Sequence, residues 1–178
     1  MLPDGYAIRP LELTDAAALA AAYTRNRAHL EEWDPHRDES FFTEQGQAAA
    51  VAGQLAAVEV GQNLAWVLTC GDEVVGRVNL NNIVMGVLRS GSLGYWVAEA
   101  HTRRGLAGTA VSHAVDRALE RGLHRVDAGT LLRNKASQAV LLRNGFEQYG
   151  VAPKFLFIDG RWQDHNLYQR ILHDDPPA

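Results

Sequence analysis

Leu93, Tyr95 and Val97 alternate with Gly94 and Trp96, a period of two that predicts a short strand with large side chains on both faces. Downstream the period changes. Ala107, Ala110, Val111, Ala114, Val115, Ala118 and Leu119 build one apolar helical face, and Gly122 ends it. Between strand and helix lies Arg103-Arg104-Gly105-Leu106-Ala107-Gly108, a basic turn punctuated by glycine.

The same reading extends along the chain. Tyr6 to Pro10 is a first strand, and Thr14-Asp15 starts a helix through the alanine-rich run Ala16 to Ala22, reaching about Leu30. Glu31 to Pro35 is a break. A second helix spans Thr43 to Val60, its most apolar part from Ala48 onward facing the core, and closes at Gly61. Leu64 to Cys70 and Val74 to Leu80 are strands joined at Gly71-Asp72, with Cys70 a buried strand residue. Arg125 to Thr130 is a strand, Asn134 to Arg143 a helix, and Gly145-Phe146 launches another strand. Val151 to Leu172 is a hairpin turning at Asp159-Gly160, and Asp174 to Ala178 is a frayed tail.

Composition narrows the function classes. The 178 residues suit one domain, 1–178, with a substantial core. A net charge of -4 argues against nucleic acid as a direct ligand, although Arg103 and Arg104 can grip phosphates locally. The single Cys70 and the lack of a charged-then-apolar leader before Tyr6 read as a cytoplasmic protein. No apolar run approaches the roughly 20 residues of a membrane span. The seven histidines show no zinc spacing, so no metal is expected, and Asp164-His165 lacks the G-x-S-x-G elbow of a serine triad.

The turn at Arg103 to Gly108 carries the chemistry. A strand ending in such a turn leaves the first amides of the next helix without partners, and these amides with the helix dipole suit phosphate oxygens. A dinucleotide site needs G-x-G-x-x-G and a nucleoside triphosphate loop ends in G-K-[ST]; neither is present. The steric alternative, a tight connection that simply needs glycine, stays open on this motif alone.

Thr102-Arg103-Arg104-Gly105-Leu106-Ala107 resembles the [QR]-x-x-G-x-[GA] motif of the GNAT superfamily of acyl-CoA-dependent N-acetyltransferases, with Thr102 departing from its first place. Asn134 to Ser137 with Leu142 to Phe146, the terminal segment Ile158 to Tyr168, and Tyr23 to Trp33 with Asn26 and Leu30 are similar to the RimJ/RimL-like branch. The resemblance covers most of the chain. It implies an α/β GNAT fold: a mixed, mostly antiparallel central sheet, splayed at the cofactor strand and flanked by helices.

It also implies roles. Strand residues Trp96 and Val97 offer backbone groups to the pantetheine arm of acetyl-CoA. Amides from Arg103, Arg104, Gly105, Leu106, Ala107, Gly108 and Thr109 cradle its pyrophosphate, and Asn134 and Arg143 lie toward the adenine end. Ser137 protonates the departing sulfur. Glu31 and Trp33, in an acidic loop shared with Glu32, Asp34, Asp38 and Glu39, face the acceptor, and this charge suits a cationic amine. The resemblance points to a protein N-terminal amine, as on a ribosomal protein, attacking directly in a ternary complex. A small-molecule amine such as a polyamine or aminoglycoside, and a non-catalytic acyl-CoA sensor, remain alternatives. The general base is unassigned among Glu31, Glu32, Asp34 and Glu99, and homodimerisation is left open.

Overall fold

The computed structural model describes residues 2–177. Its centre is a seven-stranded sheet in the order β1-β2-β3-β4-β5-β7-β6. The strands are β1 (Tyr6–Pro10), β2 (Leu64–Cys70), β3 (Glu73–Val84), β4 (Ser90–Val97), β5 (Arg125–Leu131), β6 (Glu147–Ile158) and β7 (Arg161–Ile171). Every pairing is antiparallel except β4 with β5.

That parallel pair is short. It runs from Ser90 opposite Arg125 to Leu93 opposite Ala128 and stops there, although β4 continues to Val97 and β5 to Leu131. Beyond Leu93 the two strands part, while β5 stays bonded to β7 as far as Leu131 opposite His165. A fork thus opens in mid-sheet, leaving the facing edges of Gly94 to Val97 and Gly129 to Leu131 without strand partners.

Helices α1 (Ala16–Arg25), α2 (Arg27–Glu31) and α3 (Glu44–Glu59) precede the central strands, and α4 (Leu106–Glu120) and α5 (Lys135–Arg143) follow β4 and β5. Two cores result. On one face α4 and α5 bury Ala110, Val111, Ala114 and Leu141 against Val78, Leu93, Val126, Ala128 and Tyr168. On the other, α1 and α3 pack Leu19, Ala22, Tyr23 and Val51 against Val67 and Val74. This second core takes no buried residue from β5, β6 or β7 among the described residues, so that end of the sheet is left without a helical cover.

Several sequence expectations need correction. The first helix does not run unbroken to Leu30: Asn26 interrupts it with φ -104 and ψ 14, because its side chain turns back to bond the Ala22 carbonyl at 2.8 Å. Asp15 does not cap α1. It ends a 3-10 turn, Leu13–Asp15, and its carboxylate binds Arg9 Nη1 (2.9 Å) and the Glu12 amide (2.8 Å) instead. Helix α3 faces the core less than its composition suggests. Only Gln47 and Val51 are buried, since alanines on every side give it no distinct apolar stripe. Cys70, at the end of β2, is half-buried.

Other expectations stand close to the structure. Thr43 caps α3 through Gly46 N at 3.0 Å. Asp159 and Gly160 both take positive φ, 53° and 69°, as a two-residue hairpin turn with the right twist requires. The hairpin begins earlier than Val151, at Glu147. Residues 172–177 have no regular structure, and Ala178 of the expected tail lies outside the described residues. No helix among the described residues is long and apolar enough to cross a membrane.

Candidate active site

Gly105 ends the turn with φ +79 and Arg103 has φ 59, so the backbone folds left-handed twice within three residues before α4 begins. Leu106, 1% exposed, anchors the turn in the core. No side chain caps α4, and Thr109 N bonds the Gly105 carbonyl at 3.1 Å. Among the described residues the amides of Arg103 to Gly108 find no backbone acceptor, which leaves them available to anionic oxygens, whereas that of Thr109, expected in the cradle, is taken up inside the helix. A Cβ on Gly105 would meet nothing within 4 Å, so the space in front of the turn is open. Arg103 and Arg104 are exposed at its rim.

Thr102, the irregular place in the motif, does not point into that space. Its hydroxyl donates to the Glu99 carbonyl at 2.8 Å, closing the 3-10 turn Glu99–His101 that leads from β4 to the amide turn. The position serves local geometry.

Ser137 sits in the first turn of α5, its amide held by Asn134 Oδ1 at 3.0 Å. Asn134 is thus the cap of α5. Ser137 Oγ lies 2.8 Å from the Tyr95 hydroxyl, which also approaches the Ser137 carbonyl at 3.3 Å. Tyr95 reaches across the open fork from β4, tying the strand to α5 beyond the point where the strands separate. Burial pushes the Tyr95 phenol up to about 12, partly opposed by its hydrogen bond to Ser137, so the phenol keeps its proton at neutral pH. The sequence pattern showed Tyr95 only as a strand residue. Its reach to Ser137 depends on a contact between elements 42 residues apart.

The structure separates Asn134 from Arg143. They occupy opposite ends of α5, about 13 Å apart along its axis. Asn134 belongs with Ser137 and Tyr95 at the fork. Arg143 is exposed beside Asn144, whose Nδ2 would lie 3.8 Å from a Cβ on Gly108. Arg143 therefore lies at the α4 N-terminus side and Asn134 does not.

Trp96 turns to the opposite face from Tyr95, where its indole N–H donates to the Tyr23 hydroxyl at 3.0 Å. Val97 ends β4, and the following Glu99 amide donates to Asn26 Oδ1 at 2.8 Å, pinning the end of α1 to the end of β4. Beyond α2, Arg133 Nη2 donates to the Glu32 carbonyl at 2.8 Å and its guanidinium lies over the Trp33 ring at 5.5 Å. The loop carrying Glu31 and Trp33 is thereby drawn over the β5–α5 connection.

The charge of that loop is less negative than the sequence suggested. Arg27 pairs with Glu39 at 2.5 Å, and Arg27 and Arg37 lie over Phe42 and Phe41. Tyr23, Leu30, Asp34, Phe41 and Phe42 line a small recess under the loop. Burial raises the Asp34 carboxyl above the usual carboxylate range, and Arg37 offsets part of this.

A family model described as an acetyltransferase (GNAT) domain matches residues 7–147. The chain belongs to the GNAT acetyltransferase family. GNAT enzymes use acetyl-CoA, and the free amides, open turn and forked sheet fit such a ligand. Over 179 residues the chain is 34% identical to the [ribosomal protein uS5]-alanine N-acetyltransferase of Escherichia coli, covering 98% of this chain and 92% of the relative. It is 33% identical to the probable N-acetyltransferase YjcK of Bacillus subtilis, covering 94% of each. The crystal structure of ribosomal-protein-S5-alanine acetyltransferase from Vibrio fischeri superposes with a TM-score of 0.94 at 29% identity, covering 99% and 98% of the two chains. Mycobacterium smegmatis RimJ, in complex with CoA-disulfide, gives a TM-score of 0.89 at 32% identity, covering 93% of this chain and 81% of that one. This GNAT chain is an N-acetyltransferase of RimJ/RimL type.

Proposed function

We propose that this enzyme transfers the acetyl group of acetyl-CoA to the α-amine of a protein N terminus, with an N-terminal alanine of a ribosomal protein as the preferred acceptor. The observation that carries the reading is the likeness, across nearly the whole chain, to the uS5-alanine enzyme of Escherichia coli and to its Vibrio fischeri counterpart.

On this reading the turn amides from Arg104 to Gly108 hold the pyrophosphate, with Arg103, Arg104 and Arg143 adding charge nearby. The unpaired edge of β4 from Gly94 to Val97 offers peptide groups to the pantetheine arm, strand fashion, and fixes the thioester beside α5. Acetyl-CoA supplies an activated acyl group. The Ser137 hydroxyl, oriented by Tyr95, donates a proton to the sulfur as the C–S bond breaks. The loop of Glu31 and Trp33, fastened by Arg133, borders the acceptor path on the other face.

The test is free-thiol release and peptide mass with acetyl-CoA, using a peptide copying the uS5 N terminus, the same peptide with its α-amine blocked, polyamines and aminoglycosides. A mass gain confined to the free α-amine is expected. Turnover only with a polyamine or aminoglycoside would overturn the acceptor assignment, and acetyl-CoA binding without thiol release for any amine would make the chain a sensor.

A further inference from the structure

The fork also opens on the face opposite α4 and α5, where the cover given by α1 and α3 ends. Leu93 and Ala128 form the last register pair and both belong to the α4–α5 core, so the next residues, Gly94 and Gly129, point to the opposite face. Neither carries a side chain. A Cβ on Gly129 would stand 3.8 Å from His165 Cδ2 and 3.8 Å from Phe155 Cε1. His165 therefore lies beside the aperture, on β7, although the sequence offered it only as half of an Asp-His pair.

His165 is 3% exposed, yet its polar atoms are not both used. Nδ1 lies 3.1 Å from the Gln163 carbonyl, a group that can only accept, so Nδ1 carries the hydrogen. In the neutral ring Nε2 is then a bare acceptor, for which the described residues supply no partner. Cδ2, the ring carbon bonded to Nε2, is the imidazole atom nearest Gly129. Phe155 packs against the ring at 5.4 Å and fixes its plane. Asp164 takes no part, since its carboxylate accepts from Lys154 N at 2.8 Å. The nearby charges are Arg133, which reaches Gln163 Oε1 at 3.4 Å, and the loop of Glu31 and Glu32 beyond it. Glu31, Glu32 and Glu99 are exposed, and no contact draws their carboxylates to the fork.

We infer that His165 is the general base for the acceptor amine, an inference that rests on the proposed acetyl transfer. Nε2 takes one proton from the acceptor ammonium, directly or through one water. The neutral amine forms the C–N bond to the thioester carbonyl carbon as the C–S bond breaks. The nitrogen's second proton passes through water to the Ser137 oxygen as the serine's own proton goes to the sulfur, so the serine ends neutral, CoA leaves as the thiol, and His165 returns the first proton to solvent. Base and acid thus stand on opposite faces of the fork, with the reacting carbonyl between them.

His165→Asn tests the role, because an asparagine amide can keep the hydrogen bond to the Gln163 carbonyl while removing the Nε2 acceptor. The variant should bind acetyl-CoA as the wild type does, and kcat/KM should fall about 100-fold. The acidic limb of its pH profile should be displaced, and the deficit should shrink for an acceptor whose amine is already neutral at the assay pH. In His165→Ala, added imidazole should restore turnover. The ratio of variant to wild type is read on whichever amine the wild type acetylates, so failure of the alanine acceptor and failure of His165 are separate results. A folded His165→Asn enzyme with unchanged kcat/KM and pH profile, or a folded, CoA-binding His165→Ala enzyme that imidazole does not rescue, overturns the assignment.

Discussion

The Tyr95 hydroxyl and the Ser137 hydroxyl lie 2.8 Å apart across the gap where β4 and β5 separate. One comes from a strand, the other from the first turn of α5, and the bond fixes the rotamer of a side chain that would otherwise have several.

Ser137→Ala should lower kcat about 100-fold while leaving acetyl-CoA affinity within a factor of about two. Tyr95→Phe keeps the ring and removes the hydroxyl, so a smaller loss, about 10-fold in kcat, is expected. Steady-state kinetics beside equilibrium CoA binding separate the two. Unaltered turnover in Ser137→Ala would remove the serine from the mechanism.

Gly105 combines φ +79 with open space before it. Gly105→Ala meets no clash and should cost about 1 kcal/mol of stability from its left-handed backbone alone. Gly105→Glu adds a carboxylate where the amides receive phosphate, and acetyl-CoA affinity should fall at least about 10-fold. Calorimetric titration of both variants distinguishes strain from repulsion; retained affinity in Gly105→Glu is the result that denies the turn its role.

Asp15 gives a pH dependence of known sign. Burial alone would raise its pKa, but hydrogen bonds from Arg9 and the Glu12 amide, with the charges of Arg9 and Arg77, bring it below the ordinary value. A carboxylate depressed in the folded state contributes stability that is present above its unfolded pKa of about 4 and is lost as pH falls through the folded value. Urea unfolding of wild type and Asp15→Asn should therefore differ at pH 7 and converge toward pH 2 to 3, those two pH values being about the limits of the titration. A gap that stays constant with pH would show that shape, not charge, is what Asp15 provides.

Asn26 joins two elements with one amide, donating to the Ala22 carbonyl and accepting from the Glu99 amide, and it is 5% exposed. Asn26→Ala leaves the Glu99 amide without its partner and should cost about 1 to 3 kcal/mol. The loss should appear as a lower Tm and a raised acceptor KM, since the end of β4 is no longer tied to α1. If both stay at wild-type values, the bridge is dispensable.

The legible parts of this chain were the ones written in local pattern. The period change between Tyr95 and Ala110 located β4 and α4, Gly105 marked the turn, and Asp159-Gly160 marked the last hairpin. Asn26 and Asp15 defeated the reading because their side chains answer to the Ala22 and Glu99 backbone and to Arg9, and not to the helix expected to use them. Asn134 and Arg143 were assigned together as neighbours in one motif, whereas the helix between them carries them apart. Tyr95 was read only as part of the cofactor strand and His165 only as half of an Asp-His pair, because nothing adjacent in sequence tells what their side chains reach. Their significance lies in where β4 leaves β5, a fact of pairing that no single segment contains.

The fork also divides the labour of the sheet between its two sides. On the proposed reading the nucleotide end of acetyl-CoA is held where α4 and α5 stand, while Gly94 and Gly129 face the other side, with His165 buried next to Gly129. An acceptor approaching from there needs only a thin tip to pass between two glycines, and the bulk of its body stays outside. For an acceptor taking that route, how far its tip protrudes matters more than the size of its body.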